Sequence, residues 1–352
     1  MSGVRELVDS QGRRLRDLRV SLTDRCNFRC LYCLPETEAA ANLYRNHRAQ
    51  RPSSAPVIAQ WLPRTQLLSF EEIERVVRLA VRWGIRKVRL TGGEPLLRHD
   101  AVNLVSRLAA IPGLADLAMT TNGLLFPQKA LALRAAGLRR VSFSLDSLDR
   151  DNFKKITGGD YLRQVLHSIR LAQELGFHPV KINAVIIRGL NDHEIEALAQ
   201  FARDHHLCCR FIEFMPLDSA RAGLGEMLLP AREVLARLQA RFDLRSVPAQ
   251  NPSATARRWA FADGRGELGL IAPVSQPFCR HCNRLRLTAD GKIRTCLFSV
   301  TEHDLRSRVR RGDSDDEIAD WLKGVVWQKE PRHRIGEPEF VAPPPSMSCI
   351  GG

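Results

Sequence analysis

The chain has 352 residues, 44% of them hydrophobic, which predicts one large α/β unit or about two domains and excludes a disordered protein. Lysine and arginine number 53 against 39 aspartates and glutamates, so the formal charge is +14, which suits a polyphosphate substrate or a nucleic acid. No apolar run reaches the roughly 18 residues of a membrane span, and we expect no secretory signal. Nine cysteines are too few for a disulfide scaffold, which predicts a cytoplasmic location.

Strand-like and helix-like segments alternate six times along the first two thirds of the chain. The predicted strands are 18–23, 85–90, 115–121, 140–145, 180–187 and 210–215. The predicted helices are 69–83, 101–111, 128–136, 162–175, 194–205 and 232–241. Ser69 and Glu72 have the spacing of a capping box at the start of the first helix, and Gly84 ends it. Six such units predict parallel strands with right-handed crossovers, as an open sheet or an incomplete (β/α)6 barrel.

The alternation stops after residue 242, which divides the chain into regions. We expect a partial barrel over 1–242, with a flexible insertion predicted at 36–66, where the sequence has little periodicity. Residues 243–329 contain strand-like runs and a second group of cysteines, followed by a predicted short helix at 316–328. Residues 330–352 are rich in proline and glycine and predict an extended tail that ends in Gly-Gly.

The first cysteine motif, CxxxCxxC, follows the first predicted strand and comprises Cys26, Cys30 and Cys33. Three thiolates leave one iron of a cubane iron–sulfur cluster open, because a fully capped cluster needs four ligands. The alternatives are a zinc site without its fourth ligand and buried, inert cysteines. The spacing, with Tyr32 before the last cysteine, favours the iron–sulfur cluster.

The second motif pairs CxxC with a later cysteine and comprises Cys279, Cys282 and Cys296. A structural zinc that recruits His281 or His303 is one interpretation, and a second cubane with an open iron is the other. Arg284 and Arg286 alternate on a predicted short strand and therefore face the same side. Two arginines beside a metal centre suit a ligand that carries phosphate.

In order along the chain, these motifs resemble the GTP 3′,8-cyclases, the MoaA-type radical S-adenosylmethionine (SAM) enzymes of molybdenum cofactor biosynthesis. The matching stretches are 16–33 (RDLRVSLTDRCNFRCLYC), 87–97 (KVRLTGGEPLL), 120–123, 142–147, 181–192 (KINAVIIRGLND), 210–216 (RFIEFMP), 279–298 and the terminal Gly351-Gly352. The resemblance covers nearly the whole chain apart from 36–66. It implies a partial TIM-like barrel of the radical SAM type, with a C-terminal extension that carries a second cluster.

The resemblance also implies two 4Fe–4S clusters, SAM as cofactor and GTP as substrate. The first three cysteines would hold the cluster that binds SAM, and the last three would hold a second cluster whose open iron contacts guanine. Positions that match SAM contacts are Tyr32, Gly93, Ser144 and Met215. Positions that match GTP contacts are Arg19, Arg89, Thr120, Lys181, Arg284 and Arg286, and we expect Lys87 and Arg210 to line the same pocket. The residues expected to serve catalysis are Arg284, Arg286, Gly351 and Gly352.

In the reaction that the resemblance implies, a deoxyadenosyl radical abstracts the C3′ hydrogen of GTP, and the C3′ radical attacks guanine C8. One electron and one proton then give 3′,8-cyclo-7,8-dihydro-GTP, which makes the enzyme a lyase. The implied partners are an electron donor, a downstream MoaC-type cyclic pyranopterin monophosphate synthase and a second copy in a homodimer, with neither membrane nor nucleic acid.

Two other functions fit parts of the sequence. A different radical SAM enzyme with an auxiliary cluster, such as a peptide-modifying maturase, would share the first motif but usually carries more C-terminal cysteines. A zinc-stabilised nucleic-acid-binding protein would explain the charge and the CxxC pair. It leaves unexplained the GGEP run at 92–95, which follows the second predicted strand.

Overall fold

The computed structural model describes residues 5–33, 61–215, 224–335, 337, 340, 341, 343 and 350. Most of the predicted 36–66 insertion and of the 330–352 tail, including Cys349, Gly351 and Gly352, lies outside the described residues.

Six parallel strands form the centre of the fold, in the order of the sequence. They are β1 (Asp17–Ser21), β2 (Lys87–Thr91), β3 (Asp116–Thr121), β4 (Arg140–Ser144), β5 (Lys181–Ile186) and β6 (Cys208–Glu213). Each pairs in parallel with the next, so the predicted strand–helix repeat and its direction are confirmed. In the described residues the sheet stays open, as an incomplete barrel requires.

Helices connect these strands and cover one face of the sheet. They are α1 (Phe70–Arg82), α2 (Ala101–Ala109), α3 (Phe126–Ala135), α4 (Arg150–Thr157), α5 (Leu162–Glu174), α6 (Ile195–Asp204) and α7 (Ala231–Arg241). The predicted capping box of α1 is present, since Ser69 Oγ accepts from the Glu72 amide (3.1 Å) and Glu72 Oε2 accepts from the Ser69 amide (2.7 Å). The sequence patterns did not predict α4, which Asp149 caps by accepting from the Asn152 amide at 2.7 Å.

The C-terminal extension continues the same sheet at both of its edges. Its elements are β7 (Leu244–Val247), β8 (Arg257–Phe261), β9 (Glu267–Ile271), β10 (Arg284–Leu287), β11 (Lys292–Arg294), β12 (His303–Asp304), α8 (Arg306–Arg310) and α9 (Asp315–Trp327). Strand β9 pairs in parallel with β6, and β10 pairs in parallel with β1. The result is one twelve-stranded sheet, and residues of both regions share one hydrophobic core.

Side chains alternate between the two faces of each central strand. Apolar residues such as Val20, Val88 and Leu90 are fully buried in the core. The residues between them, such as Arg19, Arg89 and Thr91, line a cavity on the other face. The alternation therefore gives this sheet one apolar face, which packs against the helices, and one polar face, which is available to a ligand.

Candidate active site

Both cysteine triplets line one cavity above the polar face of the sheet. The cavity has an open mouth and a volume of about 290 Å³, close to the lower end of the roughly 300–1,000 Å³ of ligand pockets. Of the site residues predicted from the sequence, eighteen lie in the described part of the chain. Lys87 and Lys181 do not line the cavity, and the other sixteen do: Arg19, Cys26, Cys30, Tyr32, Cys33, Arg89, Gly93, Thr120, Ser144, Arg210, Met215, Cys279, Cys282, Arg284, Arg286 and Cys296.

The first cysteine triplet lies on a loop that packs tightly against the GGEP turn after β2. The Gly93 amide donates to the Thr23 carbonyl (2.7 Å), and the Glu94 amide donates to the Arg25 carbonyl (2.8 Å). A Cβ atom on Gly93 would lie 2.2 Å from the Arg25 carbonyl oxygen. Glycine is therefore required for the two backbones to approach each other, and this contact fixes the cysteine loop beside β2.

Hydrogen bonds to its side chains hold the cysteine loop at two further points. The Phe28 amide donates to Cys26 Sγ at 3.4 Å, and Asn122 Nδ2 lies 3.8 Å from the same sulfur. Tyr32 donates its hydroxyl to Asp146 Oδ2 at 2.7 Å, which ties the loop to the end of β4. Hydrogen bonds to sulfur are a known means of tuning thiolate-bound iron–sulfur clusters, so this environment fits such a group.

Two buried carboxylates support this loop, and the sequence patterns did not assign either of them a role. Glu94 accepts from Thr121 Oγ1 (2.8 Å) and from the Asn122 amide (2.7 Å), and burial raises its pKa to about 7. Burial likewise raises the pKa of Asp146 to about 6. Both lie inside stretches that carried the family resemblance, but only the tertiary contacts show what they hold.

Arg286, Arg19 and Arg89 are direct cross-strand neighbours on β10, β1 and β2, and we call them the arginine row. Burial, followed by repulsion from Arg284, lowers the pKa of Arg19 to about 10. Burial, followed by repulsion from Arg210, lowers the pKa of Arg89 to about 10. Burial, followed by repulsion from Arg19, lowers the pKa of Arg286 well below its ordinary value. Adjacent like charges are unfavourable in a sheet, so the row suits a polyanionic ligand.

Hydrogen bonds among the described residues do not use all the donors of Arg19 and Arg210. Arg89 donates to Thr120 Oγ1 (3.1 Å) and Ser142 Oγ (3.2 Å), and Arg210 donates to Ser142 Oγ (3.0 Å). The Nε atoms of Arg19 and Arg210 are buried and have no hydrogen-bond partner within the described part of the chain. Buried donors without a partner are costly, which again indicates a ligand that accepts hydrogen bonds.

Lys87 and Lys181 begin their strands and lie at the end of the sheet away from the cysteine loops. Lys87 forms an ion pair with Asp17, its register partner on β1. Burial, followed by repulsion from Arg210, lowers the pKa of Lys181 to about 8. Neither lysine lines the cavity, although Lys181 lies close enough to Arg210 for their charges to repel each other.

The second cysteine triplet lies across the cavity, next to Arg284. The Arg284 guanidinium lies over the Phe278 ring, 4.8 Å from its centroid, and Nη2 is 3.5 Å from Cys282 Sγ. Burial alone would raise the pKa of Cys282, but Arg284 and then Lys329 lower it to about 6. A thiol beside two cations favours the thiolate, which is the form that binds metals.

The donor sets fit iron–sulfur clusters, since each triplet places three thiols around the same cavity. Among the described residues, no three histidine, cysteine, aspartate or glutamate side chains converge as ligands of a single metal ion would. None of the described helices is both long and apolar enough to cross a membrane.

Two family models together match most of the chain. The Radical SAM superfamily matches residues 20–202, and Molybdenum Cofactor Synthesis C matches residues 207–335.

Three relatives named GTP 3′,8-cyclase match nearly the full chain. The protein from Acidothermus cellulolyticus is 48% identical over 86% of this chain and 79% of its own. The one from Rhodopirellula baltica is 44% identical over 98% and 92%, and the one from Streptomyces coelicolor is 43% identical over 99% and 97%.

Solved structures show the same fold at much lower identity. SuiB of Streptococcus suis, bound to S-adenosylmethionine, has a TM-score of 0.59 at 15% identity, covering 90% of this chain and 69% of SuiB. SuiB bound to the precursor peptide SuiA has a TM-score of 0.60 at 14% identity, covering 90% and 68%. At this identity the likeness concerns the fold alone.

Proposed function

The chain belongs to the GTP 3′,8-cyclase family of radical SAM enzymes, and we propose that it converts GTP to 3′,8-cyclo-7,8-dihydro-GTP, the first step of molybdenum cofactor biosynthesis. The observation that supports GTP as the substrate is the arginine row between two cysteine triplets in one cavity. A triphosphate would supply the negative charge that offsets these adjacent buried arginines, and it would accept a hydrogen bond from the buried Arg19 Nε.

We assign the SAM side of the cavity to the first triplet and to the residues around it. Cys26, Cys30 and Cys33 would hold a 4Fe–4S cluster, which supplies the electron that cleaves SAM when both are bound. Four cavity residues at the ends of the strands and loops nearby would contact SAM: Tyr32, Gly93, Ser144 and Met215. Asp146 would keep Tyr32 in place through their 2.7 Å hydrogen bond.

We assign the GTP side to the arginines and to the second triplet. The arginine row, with Arg210 and Thr120, would bind the triphosphate, and Lys87 and Lys181 would add positive charge below them. Cys279, Cys282 and Cys296 would hold a second 4Fe–4S cluster, which would bind the guanine. Arg284 would orient the nucleotide against it, since its guanidinium lies 3.5 Å from Cys282 Sγ. Gly351 and Gly352, which lie outside the described residues, keep their proposed catalytic role.

We also propose that the enzyme is cytoplasmic and forms a homodimer. It would receive electrons from a donor and pass its product to a MoaC-type enzyme. No observation favours the maturase or the zinc-stabilised nucleic-acid-binding protein over the cyclase. The relatives at 43–48% identity are all cyclases by name.

The experiment that tests the function is anaerobic reconstitution with iron and sulfide, followed by incubation with SAM, a strong reductant and GTP, with ATP as the control. We expect 5′-deoxyadenosine and a GTP isomer that separates from GTP by chromatography, with no such isomer from ATP. Deoxyadenosine without a GTP-derived product would contradict the cyclase and favour a maturase.

The second triplet has its own test, because only this triplet lies beside Arg284. We expect the triple variant Cys279→Ala, Cys282→Ala, Cys296→Ala to retain the iron of the first triplet and to lose cyclisation of GTP. Mass spectrometry of the nucleotides gives the readout, and normal amounts of the cyclic product would exclude the assignment.

A further inference from the structure

The 329–331 segment, Lys329 to Pro331, follows α9 and passes behind the second cysteine triplet. Lys329 is only 3% exposed. Its Nζ donates to the Arg284 carbonyl at 3.1 Å and also to the Thr295 carbonyl. The first carbonyl is two residues after Cys282, and the second directly precedes Cys296. One ammonium group thus joins the backbone segments next to two of the three cysteines.

Arg13 fastens the same segment to the third cysteine. Its Nη1 donates to the Cys279 carbonyl (2.8 Å) and its Nη2 to the Glu330 carbonyl (2.7 Å). Asp9 holds Arg13 from behind, with Oδ2 2.6 Å from Nε. Glu330 Oε2 in turn accepts from Thr295 Oγ1 at 2.7 Å. The backbone beside every cysteine of the triplet is therefore tied to the 329–331 segment.

The buried positive charge of Lys329 also indicates its role. Within the described part of the chain, its two hydrogen-bond acceptors are backbone carbonyls, and no carboxylate forms an ion pair with it. A buried cation is costly unless an opposite charge lies close by. The thiolates of the triplet are the neighbouring groups that can supply this charge once they hold a cluster.

We propose that Lys329 is a positioning residue for the second cysteine triplet, fixing the backbone next to Cys282 and Cys296 and placing a buried positive charge beside the cluster that the triplet holds. This inference rests on the proposed function, because it requires the second cluster. A nearby cation favours the more negative, reduced form of a cluster, so it raises the reduction potential.

The test uses the full chain with Cys26→Ala, Cys30→Ala and Cys33→Ala, so that only the second triplet can hold iron. This parent and its variants are reconstituted with iron and sulfide, and the potential is measured by an anaerobic titration followed by electron paramagnetic resonance. Lys329→Met removes the charge, Lys329→Arg keeps it, and Lys323→Met removes a surface charge that pairs with Asp320.

We expect Lys329→Met to lower the ratio of reduced to oxidised cluster at least tenfold at a given potential, a shift of 59 mV for one electron. Lys329→Arg should shift the ratio much less, and Lys323→Met should leave it unchanged. Lys329→Gln is the alternative neutral variant if Lys329→Met does not fold, and the same shift is expected. If the parent binds iron and the neutral variant has the same reduction potential as the parent, the inference about Lys329 is wrong but the second cluster stands. A parent that binds no iron overturns the second cluster as well.

Discussion

At the scale of single residues, the cavity arginines show how one strand can serve both the core and a ligand. Arg19 lies between Leu18 and Val20, which are buried in the core, and Arg89 lies between Val88 and Leu90 in the same way. The period of two places the guanidinium groups on the cavity side. Burial makes these charged groups unfavourable in the free protein. The same low-dielectric surroundings strengthen their attraction to a bound anion.

Substitution of Arg284 is the most direct test of the part of the cavity proposed to bind GTP. We expect Arg284→Ala to raise the KM for GTP about 10- to 100-fold, since a lost charged hydrogen bond costs about 1.5–3 kcal/mol. The capacity to cleave SAM should change far less. The measurement compares cyclic product with 5′-deoxyadenosine, and the exposed Arg280→Ala in the same loop is the control. Equal losses in both activities would indicate a structural role for Arg284.

Lys181 should destabilise the free protein at neutral pH. Its pKa is lowered from 10.5 to about 8, by burial first, so the unfolded chain binds more protons than the folded chain between these values. The penalty is complete below pH 8 and disappears as the pH rises to 10.5. We therefore expect Lys181→Met to raise the free energy of unfolding at pH 7 by about 2 kcal/mol.

Denaturant titrations of wild type and Lys181→Met between pH 7 and 10.5 measure this effect. The stability difference should shrink steadily over that window. Lys155→Met, at an exposed position of α4, should show neither the gain nor the trend. A constant difference, or a less stable Lys181→Met, would contradict the pKa shift of Lys181.

At the scale of elements, the contact between the cysteine loop and the GGEP turn organises the first triplet. Gly92 has φ +148° and Gly93 faces the Arg25 carbonyl, so both positions require a residue without a side chain. Glu94 then connects this turn to the end of β3 through Thr121 and Asn122. Three neighbouring strand ends are thereby fixed around one loop.

Gly93→Ala should disrupt this contact and with it the first cluster. Because the second triplet is untouched, we expect reconstituted Gly93→Ala to hold about four iron atoms per chain instead of about eight. Iron and sulfide analysis gives the count. Gly324→Ala, in α9 with no atom within 4 Å of the added Cβ, should retain all the iron and gain about 0.5–1 kcal/mol of stability. Full iron content in Gly93→Ala would contradict the steric argument.

At the scale of the whole molecule, the extension is part of the structural framework. Strands β9 and β10 cover the two edges of the six-stranded sheet, and Leu268, Leu270, Leu285 and Leu287 join the same core as Val20. The second triplet is thereby placed opposite the first across the cavity. The barrel and the extension need each other for stability as well as for the site.

A chain that ends at residue 242 should therefore not fold by itself. It would expose the edges of β1 and β6 and lose part of the core, and unpaired edges promote aggregation. We expect the 1–242 fragment to show no cooperative thermal transition by circular dichroism and to be digested rapidly by protease, unlike the full chain. A fragment with a cooperative transition and native-like helix content would show that residues 1–242 are an independent domain.

The sequence by itself determined the strand–helix repeat, the capping box of α1 and the two cysteine motifs, because these depend on local periodicity, local hydrogen bonds and short spacings. It also identified the family, and sixteen of its eighteen described site residues line the cavity. Only the tertiary structure decided that β10 lies beside β1, which completes the arginine row, and that Lys329 and Arg13 reach the second triplet. These contacts join segments far apart in the chain, and their pairing depends on how the whole sheet buries its apolar face, which no local pattern records.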